Sequence, residues 1–181
     1  DKDSLSAPAA CNTTSVRYGT ALAVFGTEIF VLQTSSSATY RKVVVLGTSD
    51  LALSSKSISY GSGMSWRSYS QDIDVNEVTG DVYIPYRDTY GTIRAYHRQT
   101  DGSYGTTSAY YSQVNSGARY TIGIEEHNGF VYSHGYYGVS SYGGMKRMVA
   151  TDDSLSAAST LWGATNYGYQ YSGSIAVTDD A

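Results

Sequence analysis

Short apolar runs separated by turn-forming residues recur along the chain, and within many of them apolar positions fall two apart. Around 71–76, 81–86, 92–98 and 107–113 the runs alternate apolar and polar residues. That period puts one face on a core and the other toward water, as half-buried β-strands require. The connections carry hairpin chemistry. "NEVTGD" offers Gly80 for a positive φ, "QTDG" supplies Asp101-Gly102, and His127 reads as a turn residue beside Asn128-Gly129.

One segment returns along the chain. Leu22–Phe25 followed by Glu28–Leu32 corresponds to Ile73–Val75 followed by Asp81–Ile84, and to Ile122–Ile124 followed by Gly129–Tyr132. A further start falls at Ser174–Val177, trailed by the turn signal Thr178-Asp179-Asp180. The copies lie about fifty residues apart, the length of a propeller blade. Asp50, Asp101 and Asp152 run in phase with them, each in a polar turn between two strand-like runs. The pattern predicts an all-β protein: a β-propeller arc of about three four-stranded antiparallel blades plus the first strand of a fourth, an incomplete ring. Residues 1–20 are expected to be a lead-in segment, with blades near 21–70, 71–120 and 121–173 and the next beginning at 174–181.

"DIDVNEVTGDVYI", "TIGIEEHNGFVYSHG" and "YGGMKRMVATDDSLSAASTLWG" followed by "SGSIAVTDD" resemble the repeats of NHL-like and bacterial seven-bladed β-propellers. The resemblance spans roughly 20–180 and implies blade geometry, with little information about a ligand. The first copy departs most, with Phe25-Gly26-Thr27 in place of the longer first turn.

Composition agrees with strands and turns. Tyr and Gly number 19 each and Pro only 2. The net charge is -4, charged residues make up 15% of the chain, and Lys and Arg are scattered. Neither nucleic acid nor membrane insertion is expected of such a chain. The polar start reads as a mature N-terminus or flexible lead-in. Asn12-Thr13-Thr14 is an acceptor sequon for N-glycosylation. With the Tyr/Ser/Thr/Gly-rich composition it points to an extracellular, secreted or cell-surface setting. Cys11 is the single cysteine, so a disulfide would need a partner outside these residues.

Catalytic signatures are sparse. Asp72-Ile73-Asp74-Val75-Asn76 has the first acidic spacings of a calcium loop without its later Gly and Glu. His97, His127 and His134 lack zinc spacing, and no serine sits in a strand–elbow motif. No cofactor or metal site is expected. The tyrosines are the stronger candidates. Tyr86, Arg87 and Tyr90 close one second strand, and Tyr136 and Tyr137 occupy the matching part of the next copy. Aromatic rings with a hydroxyl suit sheet packing, protein interfaces and sugar stacking alike.

The sequence therefore predicts a non-catalytic extracellular propeller acting as a scaffold or protein-interaction module in a surface or filamentous assembly. Its partners would be other protein subunits or the remainder of a longer chain. The alternatives are a carbohydrate-binding, lectin-like propeller and a fragment of a propeller enzyme such as a glycosidase.

Overall fold

A computed structural model describes residues 19–33, 42–49, 51–59, 72–86, 92–112, 120–136, 143–151, 154–155, 159–164 and 175–178. The described residues form thirteen strands and no helix. Sheet 1 is built in chain order from β1 (Gly19–Phe25), β2 (Glu28–Gln33), β3 (Lys42–Gly47) and β4 (Leu53–Ser59). Sheet 2 repeats that order with β5 (Asp74–Val75), β6 (Val82–Tyr86), β7 (Thr92–Arg98) and β8 (Tyr104–Ser112). Sheet 3 runs through β9 (Tyr120–His127), β10 (Phe130–Tyr136) and β11 (Gly143–Thr151). Its fourth position is divided between β12 (Ser154–Leu155) and β13 (Ser159–Ala164), both paired with β11. All the pairings are antiparallel.

Turn residues fix these hairpins. β1 and β2 are joined by Gly26-Thr27 alone, with Phe25 opposite Glu28 and Gly26 at φ 58°. Asn128 and Gly129 both take positive φ, 52° and 80°, between β9 and β10. Asn-Gly suits this type I′ geometry because its twist matches that of the flanking strands. The β5–β6 turn is longer and held by Asn76. Its Oδ1 accepts the Val78 and Thr79 amides at 2.8 Å each, while Gly80, at φ 78°, donates to the Asn76 carbonyl.

Two elements depart from the expected boundaries. β5 is confined to Asp74–Val75, because the Ile73 amide is taken by the Asp72 side chain and Asn76 already belongs to the turn. β8 begins at Tyr104, opposite Arg98, rather than near 107. The Tyr104 ring meets Phe30 edge-on at 5.8 Å and its hydroxyl donates to the Gly80 carbonyl, which anchors that end of the strand.

Sheet 2 lies between the other two. Phe30, Leu32, Val43 and Val45 of sheet 1 share a core with Val75, Val82, Ile84 and Tyr96 of sheet 2. On the opposite face of sheet 2, Tyr83 and Ile93 meet Ile124 and Val131 of sheet 3. Successive side chains of a strand point to opposite faces, so Val82 and Ile84 enter one core and Tyr83 the other. Each fully buried aliphatic side chain contributes roughly 1.5–3 kcal/mol relative to exposure. Among the described residues the three sheets do not close into a ring. The segment 175–178, expected as the first strand of a fourth blade, takes part in no ladder among the described residues.

Candidate interaction surface

Two seams and one open face carry the chemistry of the described residues. At the seam between sheets 1 and 2, Glu28 on β2 receives two cations. Arg98 Nη2 on β7 donates to Glu28 Oε2 at 2.9 Å, and Lys56 Nζ on β4 contacts Glu28 Oε1. The Arg98 guanidinium also lies over the Phe25 ring, 5.1 Å from its centroid. Its backbone N–H donates to Asp81 Oδ1 at 2.8 Å, and His97 Nδ1 stands 2.9 Å from the same oxygen. Burial raises the Tyr104 phenol to about 12, so this hydroxyl remains a donor at neutral pH.

Carboxylates bind the seam between sheets 2 and 3. Asp72 Oδ2 accepts the Ile124 amide at 3.0 Å, and Asp74 Oδ2 accepts the Glu126 amide. Each partner lies 52 residues ahead in sequence. Glu125 accepts the Val177 amide, likewise 52 residues on. Asp72 just before β5, Asp74 within it and Glu125 on β9 thus each hold the backbone of the segment that follows. Burial is the leading cause that pushes Asp72, Asp74, Glu125 and Glu126 above the ordinary carboxylate range. The amide donors pull the other way, and mutual repulsion adds to the rise for Asp74, Glu125 and Glu126. Tyr83, buried against this row, is pushed up by desolvation and then by Asp81, Glu126 and Asp74.

The first two acidic residues once readable as a calcium loop therefore hold β9, while Asn76 Oδ1 holds its own turn. Among the described residues no three His, Cys, Asp or Glu side chains are grouped to hold a metal ion.

The outer face of sheet 1 carries an apolar patch. Leu22 and Val24 on β1 stand opposite Val31 and Ile29 on β2. Val44 on β3 is buried on that same face, whereas Leu22 and Val24 are 66% and 52% exposed. Solvent thus reaches the face at the first strand. The signal for a two-sided strand was present in the sequence, since Ala21–Phe25 is a continuous apolar run and not an alternating one.

Of the residues singled out from sequence, Asp101 is in an exposed turn where its Oδ1 accepts the Ser103 amide at 2.9 Å and hydroxyl at 2.7 Å. Those two bonds hold its carboxyl below the usual range. The backbones of Tyr86 and Tyr136 end β6 and β10, opposite Thr92 and Gly143 respectively. Their side chains lie outside the described residues, as do Cys11, Asn12, Asp50, Arg87, Tyr90, Tyr137 and Asp152. Sequence reasoning missed the Glu28–Lys56–Arg98 cluster and the open face at Leu22 and Val24. Compared with protein-family models and with curated proteins, the chain finds no match.

Proposed function

We propose that the chain is an arc of β-propeller blades of the NHL-like type, serving as a non-catalytic extracellular scaffold or protein-interaction module. The observation that carries this reading is the arrangement of faces. Sheet 2 has an apolar core against each face, while the outer face of sheet 1 carries an apolar patch that opens to solvent at Leu22 and Val24. Large apolar side chains exposed side by side mark a surface that binds another surface. The 52-residue advance of the carboxylate ties supports a blade-like unit repeated along the chain. Partners in this reading are other protein subunits or further residues of a longer polypeptide. A glycan on Asn12 and a disulfide from Cys11 to a residue outside the chain would suit the same setting.

Light scattering on purified protein over a concentration series tests the proposal, run beside a glycan array. Assembly that grows with concentration and an array without hits are the expected results. A monodisperse monomer giving reproducible glycan hits would replace the scaffold with the lectin-like reading.

A further inference from the structure

The geometry points to Asn128-Gly129 as a deamidation site that the Asp74–Glu126–Gly129 hydrogen-bond relay holds in check. Asn128 is exposed, and glycine after it leaves the attacking nitrogen without side-chain hindrance. In the reaction the Gly129 amide gives its proton to base, and its nitrogen bonds to Asn128 Cγ. The Cγ–Nδ2 bond then breaks, the leaving nitrogen takes up a proton, and ammonia departs from a five-membered succinimide. Water opens that ring to aspartate or isoaspartate, with no change of oxidation state.

Two features of the fold oppose the first step. The Gly129 N–H donates to Glu126 Oε1 at 2.9 Å, which keeps the proton on nitrogen and sets a carboxylate against the nitrogen anion that must form. Asn128 also belongs to a two-residue left-handed turn, and closing the ring needs rotation about its Cα–C bond, which the paired strands on either side of that turn resist. Glu126 is itself fixed, because its own N–H is held by Asp74 across the seam between sheets 2 and 3. Opening that seam frees Glu126, then the Gly129 amide. Isoaspartate would add a backbone carbon to a two-residue turn and break the pairing of His127 with Phe130.

Peptide mapping by mass spectrometry after incubation at mildly alkaline pH tests the inference, with folded protein compared against the same chain in guanidinium. Folded wild type should deamidate at Asn128 many-fold more slowly than the unfolded chain. Glu126→Ala, shown by circular dichroism to be folded, should react several-fold faster than wild type. Glu126→Gln should fall between them, keeping an acceptor oxygen but losing the charge. Equal rates in folded and unfolded wild type, or no reaction at Asn128 in guanidinium, would overturn the site. A folded Glu126→Ala no faster than wild type would overturn the role of Glu126. The folded-against-unfolded comparison stands even where that variant does not fold.

Discussion

Glu28 and Arg98 lie 70 residues apart in sequence and 2.9 Å apart in space, joining the second strand of sheet 1 to the third strand of sheet 2. Lys56 comes to the other carboxylate oxygen from β4, so one anion serves two cations. Removing Glu28 leaves both cations facing each other at a seam that is only partly open to water. Glu28→Ala should cost about 1.5–3 kcal/mol, the range for a lost hydrogen bond to a charged group. Lys56→Met should cost less, because Arg98 still satisfies Glu28. Urea unfolding of both variants decides the order, and a larger loss for Lys56→Met would assign the wrong centre to the cluster.

Gly80 and Gly26 separate two effects of adding a methyl group. Both have positive φ, which costs an L-residue about 1–2 kcal/mol. A Cβ at Gly26 meets nothing within 4 Å, whereas at Gly80 it would stand 2.6 Å from Arg98 Cδ and 2.8 Å from Phe25 Cε1. Gly80→Ala should therefore destabilise the fold more than Gly26→Ala and loosen the Arg98–Phe25 stack as well. Thermal unfolding of the pair measures the difference.

The carboxylates between sheets 2 and 3 give a pH dependence of definite sign. Asp72, Asp74, Glu125 and Glu126 hold protons more tightly in the folded state than in the unfolded chain, whose values lie near 3.8 and 4.5. Where the native state binds more protons, stability falls as pH rises. Their contribution is thus greatest below the unfolded values and is lost as pH climbs from about 4 through the raised native values. Urea midpoints should be higher in mild acid than at neutrality, and Asp74→Asn should flatten that slope. A midpoint that falls steadily on acidification from neutrality would contradict this assignment.

Asp74→Asn and Asp74→Ala should also differ at neutral pH. Asparagine keeps an oxygen for the Glu126 amide and removes repulsion from Asp72 and Glu77, so stability should hold or rise. Alanine leaves that amide without its acceptor and should cost about 1–3 kcal/mol. Hydrogen exchange at the Glu126 amide reports the lost bond directly.

Leu22→Ser with Val24→Thr tests the open face of sheet 1. Both side chains are more than half exposed, so folding stability should change by less than about 1 kcal/mol. Concentration-dependent association should weaken markedly in light scattering. Unchanged association would move the contact to another surface.

Much of the architecture was legible because the local chemistry agreed with it. Gly80, Gly102 and the Asn128-Gly129 pair all take the positive φ that their turns require. The expected ranges 81–86 and 92–98 also lie close to β6 and β7, although Val82, Tyr83 and Ile84 are all buried because β6 is packed on both faces. What escaped depends on contacts across sequence. Nothing near Tyr104 reveals that Phe30 and the Gly80 carbonyl will start β8 there. Nothing near Asp72 and Asp74 shows that their oxygens will meet backbone amides 52 residues away, so their sequence reads only as a strand with an incomplete calcium-loop spacing. The Glu28–Arg98 tie is hidden for the same reason: a single charge in a strand has no period to betray its partner.

The placement of β6 between two cores limits how that strand can change. Val82 and Ile84 belong to the interior shared with sheet 1, and Tyr83 to the interior shared with sheet 3. A slip or insertion of one residue would exchange the two sets, sending the phenol into an aliphatic space and leaving a valine where an aromatic ring is needed. Alterations in this stretch are therefore tolerated only in steps of two, a parity rule that neither outer sheet can relax on its behalf.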